Sequence, residues 1–190
     1  MTDAPSKSQQ AIIDAAFATY AQRPTATLAE VAEAAGVGRA TLHRYFPGRQ
    51  DLMVALARIA SAELDAAIEA ATAGAESHGA ALRRALFAMV PLGDRQWFLA
   101  TEPVDLDLAI AADYGTAKAV LATEIDAAKA EGIFDPGVPT DWIAAAYDDL
   151  IYTAWSAVRD QKLTPNQAAD LAWRTLIAGL GPAEGDSHVP

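Results

Sequence analysis

Between Thr27 and Pro47 the sequence writes two short helices around one glycine, and few folds accept that order. Thr27 precedes Glu30 by three residues. That is the spacing of a capping box, in which the threonine hydroxyl accepts an N-terminal amide and the glutamate reaches back. Leu28, Val31, Ala32 and Ala35 recur at helical spacing and make one apolar face. Gly36 can turn the chain through a left-handed conformation without Cβ strain. Val37 is then an apolar plug between the two helices. A second helix over about 38–45 points Leu42 and Phe46 inward with Tyr45 partly beside them, and Pro47-Gly48 stops it. Arg39, Ala40, Thr41, His43 and Arg44 are left outside.

A helix in the major groove presents short donors and acceptors near its N-terminal end, with phosphate-binding groups flanking it. Thr41 suits a phosphate or a thymine methyl. Arg39 and Arg44 suit guanine or phosphate, because a guanidinium forks bidentately. His43 can stack, donate or accept. Arg49, just past the turn, is placed for a phosphate clamp, and the box at Thr27 opens a helix end that attracts phosphate. With Ala40 and Tyr45, these residues make up the expected DNA-contacting set: Thr27, Arg39, Ala40, Thr41, His43, Arg44, Tyr45 and Arg49.

The stretch resembles the helix-turn-helix of the TetR family of bacterial transcriptional regulators, with the most specific likeness over Gln9–Leu56. In that family the segment matching Val37–Leu52 usually reads Val-Ser-x-Gly-Thr-Leu-Tyr-x-Tyr/His-Phe-x-x-Lys-x-x-Leu. Thr41, Leu42, Tyr45, Phe46 and Leu52 fit, and Arg49 keeps the charge of the usual lysine. Gly38 replaces a common capping serine, Ala40 a common glycine, and His43 a common tyrosine. The resemblance implies an all-α fold: a three-helix DNA-binding head over 8–50 and a helical ligand-binding and dimerisation body over 51–180. A disordered tail over 181–190 completes the expected division.

A net charge of −11 looks wrong for a DNA-binding protein until it is divided along the chain. In residues 1–60 six basic side chains face five acidic ones, while the remaining residues carry −12. From Arg39 to Arg58 four arginines face one aspartate, so the candidate DNA face is locally basic. Local charge decides phosphate contact, because screening acts over about 8 Å at physiological salt. There is no cysteine, so no disulfide or thiol chemistry is available. No apolar run reaches the roughly twenty residues of a membrane span. The first residues lack the apolar core of a signal peptide, which points to the cytoplasm.

Proline and glycine cut the rest into helical lengths. Helices are expected over about Ser8–Ala21, Arg49–Ala73, His78–Val90, Asp94–Ala100, Val104–Ala130 with a kink or break at Gly115, Asp141–Arg159 and Pro165–Gly179. Thr164 is the expected cap of the last helix. Ile143, Tyr147, Leu150, Ile151, Ala154 and Val158 form one apolar stripe, and Leu171 and Leu176 belong to another. By the family resemblance these two helices pair with a second copy. The expected interface residues are Ile143, Leu150, Ile151, Ala154, Leu171 and Leu176; the other use of the stripes is burial within the chain's own body. Two heads on a twofold axis would read a palindromic double-stranded operator.

The resemblance also implies a ligand cavity in the body, for which the aromatic candidates are Phe87, Trp97, Phe98, Tyr114, Tyr147 and Trp155. Most aromatics in such a body serve as core. Asp148, Asp149, Glu102, Asp105 and Asp107 offer carboxylates to a cation, so the expected ligand is small and apolar, with a cationic version. Nothing in the chain has the spacing of a catalytic or metal-binding set. His43, His78 and His188 are far apart, and Gly36-Val-Gly38 is too short for a phosphate loop and follows a helix rather than a strand. No enzyme activity, metal or cofactor is therefore expected. The competing reading is a helical protein-interaction scaffold that keeps the helix-turn-helix without operator binding.

Overall fold

Hydroxyl side chains mark where several of the helices begin. In the computed structural model, which describes residues 6–93, 95–96 and 108–182 and only the backbone of 108–114, Ser6 accepts the Gln9 amide at 3.2 Å and opens α1 (Lys7–Gln22). Thr27 caps α2 (Leu28–Ala34) and Ser77 caps α5 (His78–Met89). Between them lie α3 (Arg39–Tyr45) and the long α4 (Arg49–Thr72). A 3-10 turn over Val90–Leu92 follows α5. The remaining helices are α6 (Leu108–Ala130), α7 (Thr140–Arg159) and α8 (Pro165–Leu180), the last opened by a capping box of Thr164 with Gln167. Every regular element among the described residues is helical, as the resemblance implied.

The chain forms two compact units. One runs through Ala62 and includes residues 95–96; the other begins at Glu63 and continues from Ala111. The division falls inside α4, about a dozen residues beyond the position expected near residue 50. The cause is packing: Leu52, Met53, Leu56 and Ala60 on the first turns of α4 are buried with Ile12, Phe17, Tyr20, Val31, Leu42 and Phe46 in one core. Full burial of a Leu or Phe side chain contributes about 1.5–3 kcal/mol, so these α4 residues belong energetically to the first unit. Gln96 joins the same unit by donating to the Ala60 carbonyl at 2.8 Å, and the Arg95 guanidinium lies over the Phe17 ring.

In the second unit α7 and α8 pack along each other, and two large aromatics of α7 fasten it to α5 and the 3-10 turn. The Tyr147 hydroxyl donates to the Leu82 carbonyl at 2.8 Å, and Trp155 Nε1 donates to the Met89 carbonyl at 3.0 Å. The break expected at Pro91–Gly93 is the 3-10 turn itself, and α5 ends at Met89, one residue short of expectation. Gly93 follows it for want of space: a Cβ there would lie 2.5 Å from the Trp155 ring. The break expected at Gly115 does not occur. α6 passes through it as one helix, and a Cβ at that position would meet nothing within 4 Å. The segment expected as a short helix over Asp94–Ala100 lies mostly outside the described residues. So do Val104 to Asp107 and the tail beyond residue 182.

These two glycines predict opposite outcomes. Gly115→Ala should stabilise the protein by about 0.5–1 kcal/mol, because alanine loses less backbone entropy in an open helix interior. Gly93→Ala should destabilise it by about 1–3 kcal/mol through overpacking against Trp155. Urea unfolding midpoints of the two variants check both signs.

Candidate nucleic-acid interface

The exposed face of α3 is set by what its other face buries. Leu42 and Phe46 are buried in the head, and Tyr45 and Val37 pack partly against the same core. The chain enters α3 through Gly36 at φ +66°, the left-handed conformation expected there, with the Val37 amide bonded to the Ala32 carbonyl at 3.0 Å. Arg39, Ala40, His43 and Arg44 are thereby exposed, while Thr41 is half-buried at the edge of the face. Gly38 makes no side-chain cap, so the first amides of α3 are served by no side chain of the turn. The phenol of Tyr45 accepts from the Ser6 hydroxyl at 2.7 Å, and the Arg44 guanidinium lies 5.1 Å from its ring centre. Both neighbours favour the phenolate, the serine hydrogen bond most, and hold the Tyr45 hydroxyl below its ordinary range.

Two members of the expected set are committed elsewhere. The Thr27 hydroxyl accepts the Glu30 amide at 3.3 Å and gives its own proton to the Glu30 carboxylate at 2.9 Å. That carboxylate also takes the Thr27 amide and the Arg23 guanidinium. The Thr27 bonds, backbone first, and then Arg23 hold Glu30 below the usual carboxylate range. In this structure the Thr27 hydroxyl caps α2. Arg49 donates to the Pro24 carbonyl at 2.6 Å and lies over the Tyr20 ring at 5.0 Å. It ties the start of α4 to the α1–α2 turn, and its place in the fold is a brace rather than a free phosphate clamp. Arg39 has no partner among the described residues and His43 has one, the Pro47 carbonyl, 3.2 Å from Nδ1.

Ser6 was not among the expected residues, yet it joins α1 to the end of α3. Its signal was present: Ser6 stands three residues before Gln9, the spacing of an N-terminal cap, although the helix was expected to begin at Ser8.

In the body, Phe87 is half-buried beneath the Arg83 guanidinium. Tyr147 and Trp155 are buried, and both spend their polar atoms on backbone carbonyls. They are core anchors in this structure. Trp97, Phe98 and the Tyr114 side chain lie outside the described residues, as do Glu102, Asp105 and Asp107. Asp148 is half-buried and Asp149 exposed. Burial, and then the neighbouring Asp149 charge, push the Asp148 carboxyl up, against a smaller pull from Lys118.

The expected interface residues divide by their burial within the single chain. Ile143, Ile151, Ala154 and Leu176 are already buried within their own unit, so the apolar stripe closes inside the chain. Leu150 is half-buried and Leu171 is 48% exposed. The outward side of the α7–α8 pair is a shallow groove lined by Ala146, Asp149, Leu150, Thr153 and Thr175. Among the described residues no three His, Cys, Asp or Glu side chains are grouped to hold a metal, and no helix is long and apolar enough to cross a membrane.

Comparison with known proteins agrees with this geometry. Residues 12–56 match the pattern of bacterial regulatory proteins of the tetR family. The HTH-type transcriptional repressor LfrR of Mycolicibacterium smegmatis is 34% identical over 175 residues, 92% of this chain and 90% of LfrR. The crystal structure of the TetR-like regulator LfrR from Mycobacterium smegmatis in complex with proflavine superposes with a TM-score of 0.75 at 32% identity. That match covers 92% of this chain and 98% of the other. A tetR-family regulatory protein from Rhodococcus RHA1 shares the fold at a TM-score of 0.78, with 18% identity, covering 95% of this chain and 100% of the other.

Arg44→Ala should weaken binding to a specific DNA site by about 1–3 kcal/mol with helicity unchanged. Thr27→Ala should instead cost about 1 kcal/mol of stability and leave the affinity of the folded protein nearly as it was. Titration of labelled duplex, beside denaturation of the same variants, separates the two roles; a reversed pattern would exchange them.

Proposed function

This chain belongs to the TetR family of bacterial regulatory proteins, and from that membership we propose a homodimeric repressor that leaves a palindromic operator when a small apolar ligand, in its cationic version, binds in its body. The observation that carries the reading is the exposed face of α3: two arginines, an alanine and a histidine held outward by the burial of Leu42 and Phe46. The matched relatives are transcriptional regulators, which favours this reading over a scaffold without operator binding. A seven-residue reading helix offers few base contacts, and a twofold pair doubles them on a symmetric site. The ligand shifts a two-state equilibrium by binding one arrangement more tightly than the other.

The outward α7–α8 groove, with Leu150 and Leu171, is the proposed meeting face for the second copy. Leu171→Glu, with or without Leu150→Glu, should turn a dimer into a folded monomer and lower operator affinity together. Light scattering after size exclusion reads the first effect. A wild-type chain that is monomeric at micromolar concentration would end the proposal.

Asp148, half-buried on α7, is the carboxylate proposed to meet the cation. A carboxylate that burial makes costly is relieved by a cation beside it. Its pKa is raised in the folded state, so between the ordinary and the raised value the folded state binds more proton than the unfolded one. Asp148 therefore lowers stability progressively as pH rises from the ordinary aspartate value through the raised one. Asp148→Asn should be no less stable than wild type at neutral pH. In a thermal-shift panel of cationic, neutral and anionic aromatic compounds, cations should stabilise wild type most. That shift should shrink in Asp148→Asn, and in wild type as Asp148 takes up its proton at lower pH. Stabilisation by anionic compounds alone would sink the cationic version.

The DNA role is tested by selection from a random duplex pool at about 0.15 M salt, where phosphate contacts alone do not dominate. An enriched inverted repeat is the expected outcome. A folded protein that enriches no sequence would return the weight to the interaction scaffold.

A further inference from the structure

His43 stands at the middle of the open face of α3. At about 100° per residue, Arg39, His43, Ala40 and Arg44 follow one another around the exposed side of the helix, with Leu42 buried on the other. On this face the two arginines flank Ala40 and His43, with His43 in the last turn of the helix. The imidazole is not free to choose its polarity. Its Nδ1 lies 3.2 Å from the Pro47 carbonyl oxygen, and a carbonyl only accepts, so Nδ1 carries the proton. In a neutral ring Nε2 is then a bare acceptor, and it has no partner among the described residues.

We propose that His43 is a specificity-determining residue that reads an exocyclic amino group in the major groove, adenine N6 or cytosine N4, through Nε2 as acceptor. Guanine O6 and N7 and thymine O4 are acceptors themselves, so the same atom disfavours them. It also disfavours phosphate oxygens, which separates His43 from the arginines on either side. The methyl of Ala40, next to it on the helix, suits a thymine methyl at the same or a neighbouring pair. This inference rests on the DNA-reading role of α3 and adds the chemical polarity of its central contact.

The test starts from the duplex selected by wild-type protein. Each adenine is replaced in turn by a purine lacking the N6 amino group, and each cytosine by a pyrimidinone lacking the N4 amino group. Wild type, His43→Phe and His43→Gln are titrated against the set, with circular dichroism confirming equal helicity. At one position in each half-site, wild type should lose roughly three- to tenfold in affinity and His43→Phe nothing. His43→Gln, whose Oε1 can accept, should keep part of the loss. The adenine or cytosine series then identifies the base. Equal losses in wild type and His43→Phe at every position would overturn the inference while leaving the regulator intact. Failure of wild type to select any site would overturn the DNA-reading role, and this inference with it.

Discussion

The inward seating of Leu42 and Phe46 is the contact on which the DNA-reading geometry depends. A seven-residue helix is too short to persist by itself in water, since helix formation carries a costly nucleus. α3 exists because one side of it completes the core of the head. The same burial fixes its rotation, and with it the residues it can offer to a ligand. Polar contacts add precision at the edges. The Thr27–Glu30 box starts α2, the Arg49–Pro24 bond holds the beginning of α4, and Ser6 reaches from α1 to Tyr45. Because α4 lends its first turns to this core, the head includes the start of that helix, whose remaining turns belong to the second unit.

Charge is arranged on the same plan. The chain as a whole repels DNA, yet the exposed part of α3 carries arginines and no acid. Over a screening length of about 8 Å the local face dominates, while the acidic body discourages unselective attachment at longer range. Such a protein depends on base contacts more than a uniformly basic one does.

Much of the site was legible in the sequence because its determinants are local. The Thr27-to-Glu30 spacing, the left-handed glycine at 36 and the four-residue interval from Leu42 to Phe46 each require only neighbours along the chain. The body was legible as helices and less so as surfaces. Ile143, Ile151 and Ala154 have the helical spacing of an apolar stripe, and that spacing is the same whether the stripe meets its own chain or another copy. Tyr147 and Trp155 read equally as core or as pocket, because an aromatic ring with one polar atom suits both until that atom's partner is known.

The sequence by itself determined the helical class, the capping box and glycine turn of the head, the basic island in an acidic chain and the outward set on α3. All of these follow from periodicity, capping chemistry and charge counted along the chain. The tertiary structure alone decided how side chains with two uses are employed. It committed Arg49 to the Pro24 carbonyl, joined Ser6 to Tyr45 and closed the α7 stripe inward. The reason is physical: a hydroxyl or a guanidinium takes its function from the partner within about 3 Å, and the partners of Ser6 and Arg49 lie far along the chain, where only folding brings them close.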